Sequence, residues 1–380
     1  MPSPTIEDIS LPAASMANRR TLKVFRYGEP GRRPKAYLQA GLHSDEAPGF
    51  LVMHHLMARL DSAQRRGEIS GEIVLVPVAN PIGVAQWRND GLQGRFDYFD
   101  GVNFNRDHLD LKEKIAEQVA DRLTDSAEVN VVMIRKAAGE ALASMTPTGE
   151  AGALKHRLLT LAHDADIVLD LHCDHQAVMH VYMGASLWPE GEDLPGRIGA
   201  EVVLLADDSG VTPFDEACSR IWWQLAHRFP DHPVPSACLA ATIELRGIAD
   251  LDHGMAAADA ENLYRFLQGR AVIRGTAPPI PMAVDNAMPL AGVEQLNSPV
   301  PGVVVFMKSP GDWVKSGDVV AEVVNPLAGT EMDRVFPLQA AVDGILFARS
   351  ADRFARPGRI LAKIAGRKSI RSAGDNLLTL

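Results

Sequence analysis

The chain has 380 residues, 46% of them hydrophobic and 23% charged, with a formal net charge of -10; that length calls for one large domain plus a smaller appendage, and the composition excludes a disordered or fibrous protein. The acidic balance argues against a nucleic-acid partner, whose phosphates demand a basic face, and no apolar run is long enough to span a bilayer. The N-terminal MPSPTIEDISLPAAS does not read as a secretory signal, and Cys173, Cys218 and Cys238 form neither a disulfide framework nor a CxxC pair, so a reducing, cytoplasmic location without a membrane partner is expected.

Taken from the N-terminus, KAYLQAGL (Lys35 to Leu42) is a short apolar run that predicts a buried strand, and Phe50, Met53, Met57 and Leu60 recur behind it at helical spacing. In the turn between them, AGLHSDEAPG, His43 and Glu46 are separated by two residues and can be aimed at one point as zinc ligands, although a polar surface loop has the same look. His54 and His55 lie in the helix that follows and are read as packing or surface residues. A second strand, EIVLVPVAN (Glu72 to Asn80), leads into a long loop holding Arg88, Arg95, Asn105 and Arg106, where guanidinium forks could grip a carboxylate. Its glycines, Gly83, Gly91, Gly94 and Gly101, suit a connection folding over a pocket and equally any surface loop.

Beyond a helix carrying Leu154, Leu158 and Leu161, the apolar strand DIVLDLH (Asp166 to His172) ends on His172, at the edge where open α/β sheets place their ligands. Asp170 shares its strand face and could orient an imidazole or serve as a plain structural carboxylate. Two histidines and one carboxylate leave a fourth position for water, the pattern of a catalytic zinc site. His175 and His180 follow and could line the pocket, VMHVYMG from Val178 is a further strand, and Trp222 and Trp223 are read as helix packing. In the strand CLAATIEL from Cys238, Glu244 interrupts an apolar run, which suits either a general base beside a metal or a salt bridge to Arg246 or another arginine. Near-continuous apolar strands separated by helices indicate an α/β sheet covered on both faces. The stretch from Gly275 to Met288 reads as a linker, and the Pro-Gly-Asp and Ser-Gly-Asp turns beyond it predict a small all-β barrel or sandwich. The expected division is 1–280 and 289–370.

The ordered series HSDE, NPIG, NFNRD, LDLHCD and TIELRG, from Lys35 to Gly247, resembles the succinylglutamate desuccinylase/aspartoacylase family of the zinc carboxypeptidase superfamily. The resemblance implies a zinc-carboxypeptidase-like mixed sheet and one Zn2+ per chain held by His43, Glu46 and His172, with Glu244 as general base. It puts the family's substrate-gripping Asn-Arg pair on Asn105 and Arg106, and its carbonyl-polarising arginine on Arg95 or Arg88, of which Arg95 lies closer to that pair. The residues by which aspartoacylases recognise their acyl group are not recognisable here. The implied activity is hydrolysis of the amide bond of a small N-acyl amino acid or related amide, with a carboxylate-bearing small molecule as partner and homo-oligomerisation left open. Two alternatives are a metallocarboxypeptidase acting on peptide C-termini and a non-catalytic ligand-binding member. The tail SPGDWVKSGDVV resembles the biotinyl or lipoyl carrier fold, yet the hairpin NPLAGTEMDRV has no lysine to modify, and Lys308 and Lys315 belong to the preceding strand and turn. That leaves a packing or lid role for this barrel-sandwich.

Overall fold

Apolar runs of five to nine residues become the strands that matter here, and the computed structural model describes residues 3–188, 190–281, 287–330, 332–372 and 375–378. Part of the expected linker, residues 282–286, and residue 331 of the NPLAGTEMDRV hairpin lie outside the described residues. The first half holds β1 (Thr5–Ser10), β2 (Thr21–Gly28), β3 (Lys35–Ala40), α1 (Pro48–Arg66) and β4 (Glu72–Val76). A two-residue hairpin, β5 (Trp87–Arg88) and β6 (Gly91–Leu92), and the helices α2 (Lys112–Val119), α3 (Ala127–Ala143) and α4 (Gly149–Ala162) follow. Then come β7 (Ile167–Asp174), β8 (Gln176–Ala177), β9 (His180–Met183), α5 (Asp193–Ile198), β10 (Val202–Leu205), α6 (Phe214–Arg228), β11 (Leu239–Gly247), α7 (His253–Gly269) and β12 (Ala287–Pro289).

Nine of these strands make one mixed sheet in the order β1-β2-β4-β3-β7-β11-β9-β10-β12, with β4, β3, β7 and β11 mutually parallel at its centre. Side chains alternate across it. Leu169 and Leu171 of β7 and Ala241, Ile243 and Leu245 of β11 enter the core under α1, α5 and α7, whereas Val168 and Ala240 face the core under α2, α3, α4 and α6. The same alternation sets Asp170, His172, Thr242 and Glu244 on the second face, and parallel register pairs Thr242 with Asp170 and Glu244 with His172. Helix α1 starts with Pro48, which needs no amide hydrogen in the first turn, and stops at Gly67 in the left-handed region, whose N–H caps the carbonyls of Ala63 and Gln64. This is a zinc-carboxypeptidase-like α/β fold with helices on both faces.

The remaining strands are β13 (Val293–Asn297), β14 (Gly302–Phe306), β15 (Trp313–Val314), β16 (Val319–Val324), β17 (Val335–Gln339), β18 (Gly344–Arg349), β19 (Phe354–Ala355) and β20 (Ile360–Gly366). They form two sheets, β13-β20-β18-β15 and β17-β16-β14-β19, around a core of Val304, Val314, Val320, Leu346, Leu361 and Ile364. The two glycine turns are closed by their aspartates: Asp312 accepts from the Ser309 N–H at 2.8 Å and Asp318 from the Lys315 N–H at 3.2 Å. Strand β8 pairs with β18, Gln176 opposite Arg349 and Ala177 opposite Ala348, so the two parts share a hydrogen-bonded edge. No helix among the described residues is long and apolar enough to cross a membrane.

Candidate metal centre and active site

His43 and Glu46 sit in the turn between β3 and α1, a turn held by Asn80, whose Nδ2 donates to the Leu42 carbonyl at 2.9 Å, and by the Ser44 N–H on the Gly94 carbonyl at 3.1 Å. His172 comes from the adjacent β7. One ligand atom from each of the three, all buried, lies within 4.8 Å of the others. His43 Nδ1 is 3.1 Å from Glu46 Oε1 and His172 Nδ1 is 2.8 Å from Glu46 Oε2. The far nitrogens are tied off: Nε2 of His43 is 2.8 Å from Asn103 Oδ1 and Nε2 of His172 is 3.0 Å from Asp170 Oδ2. A carboxylate and an amide oxygen accept, so each Nε2 can carry the hydrogen, which would leave each Nδ1 lone pair for a metal bound beside Glu46. Two imidazoles and one carboxylate converging in this way could hold a metal ion, and they are the donor set found in catalytic zinc sites.

Charges around the cluster follow from its burial. Burial, with Arg95 nearby, drops His43 to about 3 and keeps it neutral. His172 is also buried, but Asp170 and Glu46 outweigh that and hold it well above the ordinary range. Burial likewise opposes ionisation of Glu46, and His172 and His43 overcome it, so Glu46 stays ionised. Glu244 lines the same pocket, with Oε2 buried and without a hydrogen-bond partner among the described residues. Burial and the Glu46 carboxylate push it up to about 8. Arg246 does not pair with Glu244 among the described residues: both its Nη atoms pair with Asp259, and Nε turns to Met255 Sδ.

The pocket, about 350 Å³, also takes in Asn105, Arg106, Arg95 and His175. Arg95 Nη1 donates to Glu46 Oε1 at 3.1 Å. Arg88 is exposed on the β5–β6 hairpin and does not line the pocket. Asn105 is buried, with Nδ2 3.2 Å from His172 Nε2 and Oδ1 accepting from the Phe214 N–H at 2.8 Å. Arg106 Nη1 donates to the Asn105 carbonyl at 2.7 Å, and burial with the neighbouring Arg95 lowers its pKa to about 10. His180 is buried against Tyr182 and Phe347 instead of lining the pocket, His55 meets His253 at 3.0 Å on the outer side of α1, and Trp222 and Trp223 project from α6 into the core. Sequence reasoning missed Asn103, whose only signal is its place as the first Asn of NFNRD, and missed Asp215, Thr242 and Tyr182, which line the pocket from other elements. It also gave no sign that barrel residues, Phe347, Leu361 and Lys363 among them, form one wall.

A family model described as the succinylglutamate desuccinylase/aspartoacylase catalytic domain matches residues 32–268. The chain belongs to this family. The succinylglutamate desuccinylase/aspartoacylase family is one of deacylases, and residues 32–268 span the ligand turn, β7 and β11 together. A solved family protein from Shewanella amazonensis SB2B is 27% identical, with a TM-score of 0.84 over 95% of this chain and 98% of that one. Another from Shewanella frigidimarina NCIMB 400 is 24% identical, TM-score 0.83, over 96% and 98%. The product-bound ectoine utilization protein EutE (DoeB) from Ruegeria pomeroyi shares the fold at 15% identity, TM-score 0.66, over 96% of each chain. No curated protein matches the chain.

Proposed function

We propose that the protein is a zinc-dependent deacylase that hydrolyses the amide bond of a small N-acyl amino acid or related amide. The observation that carries this reading is the convergence of His43 Nδ1, His172 Nδ1 and the Glu46 carboxylate beside an unpartnered Glu244. When bound, zinc supplies Lewis-acid polarisation of a carbonyl and acidifies water. Water adds across the amide, the C–N bond breaks, and a carboxylic acid and a free amine leave. Glu244 takes the proton from the attacking water and returns it to the departing nitrogen, and its burial beside Glu46 raises its affinity for that proton. Arg95, the cation beside the ligand cluster, stabilises negative charge developing on the acyl oxygen. Asn105 and Arg106 hold the substrate carboxylate. A pocket of about 350 Å³ walled on one side by the barrel suits a ligand of amino-acid size. Three free, buried cysteines support the cytoplasmic setting.

The test has two readings. Purified protein supplemented with zinc is expected to hold one ion per chain, and Glu244→Gln is expected to keep that ion while kcat toward an N-acyl amino acid falls by about 10²–10⁴-fold. Absence of stoichiometric metal, or loss of the metal in Glu244→Gln, overturns the assignment. Efficient release of C-terminal residues from peptides replaces it with the carboxypeptidase alternative.

A further inference from the structure

Helix α4 buries Ala151, Leu154, Lys155 and Leu158, the one-face spacing of an amphipathic helix, and one of the four is a lysine. Lys155 is 6% exposed, and burying an ammonium is costly unless it is paired. Asp107 and Asp100 favour its charge, yet its hydrogen bond goes to neither: Nζ donates to the main-chain carbonyl of Arg106 at 2.7 Å. That carbonyl belongs to the turn NFNRD, in which Asn103 Oδ1 meets His43, Asn105 Nδ2 meets His172, and Arg106 lines the pocket. The chain leaves the turn through Asp107, whose φ of 51° lies in the left-handed region that few side chains adopt unless their surroundings impose it. The N–H groups of Asp107 and His108 are held by the carbonyls of Val211 and Thr212, at 2.8 and 3.1 Å. Lys155 holds the carbonyl just before them.

A guanidinium at the end of a long, rotatable stem is only as well placed as the backbone that carries it. We propose that Lys155 is a positioning residue for Arg106: by anchoring the Arg106 carbonyl it fixes where that guanidinium stands, and so sets the affinity for the substrate carboxylate. Lys155 itself does not line the pocket. The inference rests on the deacylase reading, which gives Arg106 that carboxylate to hold. A hydrogen bond from an ammonium is stronger than one from a neutral donor, and the lysine stem carries it through the core from α4 to the turn. Methionine would fill the same apolar stripe and leave the carbonyl without its donor.

The experiment measures kcat and KM of zinc-loaded wild type, Lys155→Met, Lys155→Arg, Arg106→Ala and the Lys155→Met/Arg106→Ala double variant, using whichever of a panel of N-acetyl amino acids wild type turns over fastest. Lys155→Met is expected to raise KM by about 10–100-fold while kcat changes by less than about threefold. Lys155→Arg, a cation that can still reach the carbonyl, should recover part of the loss. In the Arg106→Ala background Lys155→Met should raise KM no further, because a lysine that acts through Arg106 has nothing left to position. An unchanged KM in Lys155→Met overturns the proposal. So do effects of the two substitutions that simply multiply, or a fall in kcat and zinc content with KM unmoved, either of which would make Lys155 a general support of the fold. If no N-acetyl amino acid is turned over, the deacylase reading falls, and calorimetry with N-acetylglycine still decides the anchoring. Binding weakened equally in Lys155→Met, Arg106→Ala and the double variant supports it; equal binding by wild type and Lys155→Met, or none by wild type, overturns it.

Discussion

Which nitrogen of each imidazole faces the ligand position is decided by what the other nitrogen touches. Asn103 and Asp170 therefore do for His43 and His172 what no property of the histidines does alone. Asn103→Ala and Asp170→Asn are each expected to weaken zinc binding by about 10–100-fold in a chelator competition, and unchanged affinity would show that the rings are oriented by something else. Asp215 gives a second test at this scale. Burial and the neighbouring Glu216 push its carboxyl from 3.8 up to about 7. The folded protein keeps a proton that the unfolded chain gives up near 3.8, so stability is greatest below that value and declines as pH rises toward 7. Asp215→Asn removes the decline. In urea unfolding it should match wild type near pH 4 and exceed it at pH 8 by about 1–3 kcal/mol; an equal difference at both pH values would count against it. That His43, Glu46, His172 and Glu244 share one pocket was legible in the sequence only from their motifs taken together in order, since each motif alone also fits an ordinary local explanation. Asn103 and Asp215 were not, because an asparagine in a loop and an aspartate opening a helix have ordinary local explanations, and only their spatial neighbours single them out.

Elements were legible in proportion to their burial. Strands β3, β4, β7 and β11 are buried along nearly their whole length, so each is a plain apolar run. TIEDIS of β1 is exposed and polar; it pairs with β2 at the sheet edge, Lys23 on Asp8 at 2.6 Å, and carries no such signal. The long arginine loop was readable as a cover for a pocket, but its fit to the ligand turn was not. A Cβ on Gly94 would lie 2.4 Å from the Asp45 nitrogen and 2.7 Å from the Ser44 carbonyl carbon, so loop and turn touch backbone to backbone. Gly94→Ala is accordingly expected to displace the turn carrying His43 and Glu46, lowering stability by about 1–3 kcal/mol and zinc affinity with it. A variant with wild-type metal affinity would show that the loop moves instead.

At the scale of the molecule, the Pro-Gly-Asp turns announce a second β-rich part, yet nothing local announces where it docks. The docking is substantial: Val202, Leu204 and Met288 of the large sheet share one core with Ile345, Phe347 and Leu377, and Lys363 pairs with Asp174 at 2.6 Å. With the β8–β18 edge this predicts one cooperative calorimetric unfolding transition for the full chain, and two separable transitions would refute it. Strand β8 begins four residues after His172 and is paired with β18 of the barrel. Swinging the barrel outward to admit a bulky guest would pull on the strand that holds a metal ligand. The β8–β18 pairing thus ties the wall of the pocket to its floor, so a guest that demanded more room would have to disturb the metal ligands to obtain it.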